Sequence, residues 1–102
     1  MAQMVAIYKT PEDTASFDKH YLEVHVPLAK KLPGLRKYRL SQGSISTPFG
    51  ASEFHMVATL HFDDMEAIKN AFASPEGRAA AADVQTFRQH LAHMLLIEDH
   101  EV

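Results

Sequence analysis

The sequence predicts an α+β fold, a ferredoxin-like split βαβ plait whose four-stranded antiparallel sheet carries its helices on one face. Three observations predict it. Periodic segments follow one another as strand, helix, strand, strand, helix pair, strand. Right-handed crossovers close that order into one sheet with both helical units on the same side. The clearest strand, Glu53 to Phe62, alternates strictly: Phe54, Met56, Ala58, Leu60 and Phe62 fall on one face, Glu53, His55, Val57, Thr59 and His61 on the other. The apolar face belongs under the helices. The mixed face has no cover within the chain, and two such sheets packed face to face would bury it as a dimeric α/β barrel.

The elements follow from local chemistry. Met4 to Lys9 is a short apolar strand. Thr10 to Thr14 is a turn, with Thr14 or Ser16 as the helix cap and Asp18 suited to the positive helix end. On a 3.6-residue period Phe17, Tyr21, Val24, Leu28 and Leu32 make an apolar stripe, with Lys19, Glu23, Val26 and Lys30 opposite. His25 lies on the shoulder of that stripe, one turn after Tyr21. Pro27 has no amide hydrogen for the Glu23 carbonyl, so the helix should bend or restart at the imidazole. Lys30, Lys31, Pro33 and Gly34 stop it.

Leu35 to Gln42 reads as a half-exposed strand, and Gly43 to Ser52 as a loop too long for a tight hairpin turn. That loop is either a plain connection or a flap with Phe49 as its apolar tip. Asp63 and Glu66 have capping-box spacing ahead of a helix that turns Met65, Ile68 and Phe72 inward. Ser74 and Pro75 start a second helix, and Leu91 to Glu98 is the last strand.

Composition bounds the function. The 102 residues are expected to form one domain, 1–102, with a core too small to cover both sheet faces. A net charge of −3, with ten basic residues scattered among thirteen acidic ones, argues against nucleic acid. No apolar run of spanning length and no secretory leader is present, so neither membrane insertion nor export is expected, and a cytoplasmic location is. Zero cysteines removes disulfides, thiolate nucleophiles and zinc–cysteine sites together.

The stretch from Phe17 to Leu35 carries a family resemblance. Phe17, Tyr21, His25, Pro27, Leu28, Lys31, Leu32, Pro33, Gly34, Leu35 and Tyr38, then Ser74-Pro75-Glu76-Gly77, Asp83 and Phe87, resemble the signature of the EthD family. The family is named for a small protein of the ethyl tert-butyl ether degradation system. The resemblance covers most of the chain. It implies a dimeric ferredoxin-like α/β barrel and a role in degrading or oxidising small organic compounds such as ethers, directly or as accessory to an oxidase system.

Seven histidines raise a metal site, and spacing argues against one. His20 and His25, five apart on an α-helix, sit about 140° from each other and cannot share an ion. His55 and His61 lie roughly 20 Å apart along their strand. No HExxH, two-His-one-carboxylate, GxGxxG, phosphate-loop or GxSxG pattern occurs, so no metal and no cofactor is expected. Chemistry would then fall to His, Tyr, Asp and Glu.

Two readings stand for His25 and Tyr21. In one, His25 bonds a backbone carbonyl, such as that of Glu23, and Tyr21 packs. In the other, His25 is a general acid or base and Tyr21 orients the ligand or donates to an oxyanion. Asp83 is either a surface carboxylate or a group orienting a His or the ligand. Tyr8 and Phe49 complete the candidate binding residues, and His55 and His61 are expected at a dimer interface. Besides the family's role, a cofactor-independent lyase, isomerase or cyclase and a non-catalytic binding module for a hydrophobic intermediate remain open.

Overall fold

The computed structural model describes residues 1–102. Strand β1 (Ala2–Lys9) leads through α1 (Thr14–His20), a π-helical turn (Tyr21–His25) and α2 (Val26–Ala29) to β2 (Lys37–Leu40). A small hairpin, β3 (Ser46–Thr47) and β4 (Gly50–Ala51), precedes β5 (Phe54–Phe62). Helices α3 (Met65–Ala73) and α4 (Pro75–Gln85) and a 3₁₀ turn (Arg88–His90) lead to β6 (Leu91–Glu98). The four long strands stand in the order β2-β5-β1-β6, every neighbour antiparallel. That is the plait the element order predicts.

One face of the sheet is the core floor. Ala2, Met4, Ala6 and Tyr8 of β1 and Met56, Ala58, Leu60 and Phe62 of β5 are buried there beneath Phe17, Tyr21, Leu32, Ile68, Ala71 and Phe87. Period-2 alternation puts the other residues of the central strands on the opposite face. Cross-strand pairs Val5–Thr59, Ile7–Val57, Val5–Leu95 and Gln3–Ile97 line it. Leu95 and Ile97 remain 48% and 40% exposed.

The alternation expected for β5 fails at its first residues. Tyr8 pairs with Met56 and Lys9 with Phe54, so His55 is an unpaired bulge residue. Released from the pleat, His55 turns to α1, with Nε2 2.7 Å from Asp18 Oδ1 and its ring edge-on to Phe17. Phe54 packs on His93 instead. His55 is therefore not on the open sheet face where the sequence places it. A second bulge skips Ala92, since Ile7 pairs with His93 and Tyr8 with Leu91.

Two of the three helix caps differ from expectation. Asp13, not Thr14 or Ser16, caps α1, accepting from the Ser16 N–H at 2.9 Å. Asp64, not Asp63, caps α3, accepting from the Ala67 N–H at 2.8 Å. Asp63 is engaged by Arg36 in a two-pronged bond of 3.1 and 2.8 Å. Ser74 caps α4 as predicted, with Pro75 in the first turn. The loop after β2 is not an unstructured connection, because Thr47 Oγ1 donates to the Gly50 carbonyl and closes the β3–β4 hairpin.

Candidate active site

The site is built where α1 gives way to a π-helical turn. The Val26 N–H reaches back to the carbonyl of Tyr21, five residues earlier, so the turn holds one residue more than an α-helix does. Pro27 lies in the first turn of the helix that restarts after it. This is the restart the proline predicts, and it rotates everything downstream. Phe17 and Tyr21 are buried as expected, but the stripe then continues through His25 and Ala29 rather than Val24 and Leu28. Val24 is exposed, and Val26, expected on the solvent side, is half-buried. His25 is thus central to the buried face, not on its shoulder.

The same extra residue overturns the 140° separation of His20 and His25. His25 Nδ1 lies 3.0 Å from Asp83 Oδ2, and His20 Nε2 lies 2.9 Å from Asp83 Oδ1. A carboxylate only accepts, so each ring nitrogen donates. No group of three His, Cys, Asp or Glu side chains is arranged to hold a metal ion. The two imidazoles take opposite oxygens of one carboxylate instead.

Burial holds His25 below the usual imidazole range, with the Asp83 bond and charge opposing the shift. The neutral ring with its proton on Nδ1 leaves Nε2 as a lone pair. That nitrogen has no partner among the protein's side chains, and His25 lines a cavity of about 390 Å³ between the helices and the sheet. Met4, Ala6 and Tyr8 form its floor, and Tyr21, His25 and Val84 part of its roof. Exposed Gln85, Arg88 and Met94 line it where it meets solvent. Most of the lining is hydrophobic, so a bound molecule would be largely stripped of water.

Tyr21 packs against the imidazole, and Tyr8 and Tyr38 in turn contact Tyr21. The Tyr21 ring centroid is 5.0 Å from that of His25, and the Tyr21 hydroxyl lies 2.7 Å from the hydroxyl of Tyr38. Tyr8 meets Tyr21 edge-on at 5.5 Å. Burial raises the Tyr8 and Tyr21 hydroxyls well above the phenolic range, with Tyr38 adding to both, and burial pushes Tyr38 up to about 12. All three are therefore phenols at neutral pH, able to donate a hydrogen bond but not to serve as bases. Phe87 packs against three of these rings, 5.2 Å from His25, 5.7 Å from Tyr8 and 5.9 Å from Tyr21 between ring centroids.

The structure thus brings His25, Tyr21 and Tyr8 onto one cavity and sets Asp83 behind His25 rather than in the lining. The backbone-carbonyl alternative for His25 does not occur, because Nδ1 is occupied by Asp83. Phe49 stands apart: it is 98% exposed on the β3–β4 hairpin and is not part of the cavity wall. Sequence reasoning missed His20, Tyr38 and Arg88. The signal for His20 was Pro27, since a missing N–H that close to His25 invites a π turn, and a π turn brings i and i+5 together.

Comparisons with known proteins agree with this architecture. The EthD domain family matches residues 9–90. An uncharacterized 11.0 kDa protein of the thcB-thcC intergenic region of Rhodococcus erythropolis is 33% identical over 102 residues, covering 100% of this chain and 98% of that one. The crystal structure of an ethyl tert-butyl ether degradation (EthD) family protein from Bacillus halodurans is 33% identical with a TM-score of 0.89, covering 98% of this chain and 99% of that one. A structure of SnoaB, a cofactor-independent oxygenase from Streptomyces nogalater, shares the fold at 16% identity and a TM-score of 0.70, covering 99% and 94% of the two chains. With a family match across most of its length and a relative at one-third identity end to end, the chain belongs to the EthD family.

Proposed function

We propose that this chain binds a small, largely apolar organic molecule in the cavity and serves the degradation or oxidation of such compounds, with His25 as general base. The observation that carries the reading is the 3.0 Å contact of His25 Nδ1 with Asp83, which leaves the opposite nitrogen unpaired on a ring that lines an apolar cavity. A substrate C–H or O–H acidified by a carbonyl or an aromatic ring gives its proton to Nε2. The electron pair stays on the substrate as an enolate or phenolate. Asp83 orients the ring and stabilises the imidazolium that forms. Tyr8 and Tyr21, held as phenols, donate toward the developing oxyanion.

Family membership supports compounds such as ethers as the wider context, processed here or beside an oxidase system. The Streptomyces protein of the same fold is named a cofactor-independent oxygenase, and in the oxidative reading the deprotonated substrate here gives its electrons to dioxygen as the oxidant. The same step opens a lyase, isomerase or cyclase reaction. That second reading is favoured by the hydrogen-bond donor Tyr21, whose ring centroid stands 5.0 Å from that of the base His25. A second copy of the chain across the open sheet face would complete the barrel.

The test is deuterium wash-in. Small ketones and 1,3-dicarbonyl compounds are incubated with the protein in D₂O and followed by proton NMR. The native protein is expected to accelerate exchange at the acidic C–H, and His25→Gln to abolish the acceleration. Equal exchange in the His25→Gln protein would overturn the assignment of the base. Native mass spectrometry of the purified protein gives the mass of any retained molecule and narrows the compounds to try.

A further inference from the structure

The pair His25 and Asp83 accounts for one oxygen of the carboxylate. The other is bonded at 2.9 Å by His20 Nε2, from the solvent side of the same helical segment. The three side chains grade from inside to outside: His25 is 8% exposed, Asp83 9% and His20 38%. His20 also lines a separate surface cleft with Lys9, Thr10, Thr86 and His90. Phe87 borders that cleft and lies 5.7 Å from His20 and 5.2 Å from His25, so it divides the cleft from the apolar cavity. Asp83 therefore bridges a wet space and a dry one, holding an imidazole in each.

We infer that His20 is a positioning residue for the His25 base, pinning the outer oxygen of Asp83 so that the inner oxygen stays on His25 Nδ1. This rests on the reading of His25 as the base and extends it by one residue. A carboxylate turns about a single Cβ–Cγ bond, with a broad, two-fold preference. One donor on one oxygen leaves that rotation free to carry the acceptor off the ring. Donors on both oxygens, from rings fixed in one helical segment, remove it. The π turn is what permits this, since α-helical geometry would point residues 20 and 25 apart. His20 is partly exposed in the cleft, so the clamp sets no second buried imidazole beside the first.

Two variants and two readouts test the inference. His20→Ala removes the clamp. His20→Gln keeps an N–H donor at about the reach of Nε2 but cannot carry an imidazole's charge. The first readout is the ¹⁵N spectrum of the His25 ring, which distinguishes proton on Nδ1 from proton on Nε2 and needs no substrate. The resonance is assigned by its loss in His25→Gln. In the native protein Nδ1 is expected to carry the proton. In His20→Ala the ring is expected to become a mixture of tautomers, and in His20→Gln to return most of the way to the Nδ1–H form. The second readout is deuterium wash-in, where His20→Ala is expected to lower the maximal rate by roughly tenfold to a hundredfold with half-saturation unchanged. An unchanged His25 tautomer in folded His20→Ala would overturn the inference. Absence of exchange in every protein, with the tautomer shift present, would overturn the base chemistry and leave the clamp standing.

Discussion

His25 and Asp83 stand 58 residues apart in the chain and 3.0 Å apart in the fold. The contact joins the π turn to α4 and gives a buried imidazole a fixed proton. Asp83→Asn keeps the shape of the side chain and turns an ion into an amide that can rotate its NH₂ toward Nδ1. The ring then loses its reason to keep the proton there. Deuterium exchange by the Asp83→Asn protein is expected to fall by roughly 10²–10⁴, the range general acid–base catalysis supplies. Far-ultraviolet circular dichroism is expected to stay native. A loss below about threefold, well short of that range, would remove Asp83 from the chemistry.

The buried imidazole also sets a pH dependence of stability. Its folded pKa lies below the ordinary 6.5, chiefly through burial, so between the two values the unfolded chain binds the proton more readily. The contribution is complete above the unfolded value and is lost as pH falls through it toward the folded one. Urea denaturation midpoints are therefore expected to fall faster between pH 7 and pH 5, about the window below an unperturbed imidazole, for the native protein than for His25→Gln. Parallel curves would show that His25 titrates alike in both states.

Tyr21 and Tyr38 make the second polar contact of the site, at 2.7 Å between hydroxyls. Phenylalanine at either position removes one oxygen and keeps the packed ring. Each single change is expected to cost about 1 kcal/mol, the net worth of a hydrogen bond. The double change is expected to cost less than the sum, with a coupling of about 0.5–1 kcal/mol, since both delete the same bond. Additive losses would mean that each hydroxyl has a partner other than its neighbour.

The plait was legible because it depends on coarse patterns. Strict alternation in β5, apolar runs in β1 and β6, and the Ser74-Pro75 start of α4 survive small errors of phase. The site was less legible because it depends on two departures from regular geometry. The bulge at His55 and the π turn before Val26 each insert one residue, and each sends a histidine where a regular period does not. Period-based reading put His25 on a shoulder, His20 about 140° from it and His55 on the open face for that one reason. Asp83 was readable as a surface carboxylate or as a group orienting a His or the ligand, but not as the shared acceptor of two histidines, because its partners lie in a distant segment. Phe49 illustrates the opposite error: an apolar residue at a loop tip invites a role as a lid, and here the hairpin holds it in solvent.

Gly77 reports on how α3 and α4 meet. It sits in the first turn of α4, and a Cβ there would run into the Ala71 carbonyl and the backbone of Phe72. Neither neighbour is a flexible side chain, so the helices would have to separate. Gly77→Ala is expected to destabilise by roughly 1–3 kcal/mol, the usual cost of overpacking, despite alanine's better helix propensity. Chemical denaturation measures it, and a stabilised variant would mean the two helices can slide apart freely.

The open sheet face supplies the last prediction. Val5, Ile7 and Val57 are half-buried there, while Leu95 and Ile97 of the edge strand β6 are exposed over nearly half their surface. An apolar strip across three strands is more than a small monomeric domain usually leaves bare. A second copy packed on it buries both strips about a two-fold axis, and the same residue then meets its counterpart or its neighbour across the interface. Sedimentation velocity at micromolar concentration is expected to give a dimer. Leu95→Lys, which sets a charge on that face in each copy, is expected to shift the equilibrium to monomer while leaving the chain folded, because the exposed side contributes little to the core beneath the helices. A native protein that sediments as a monomer would exclude the paired barrel. A Leu95→Lys protein that remains fully dimeric would place the contact on some other surface.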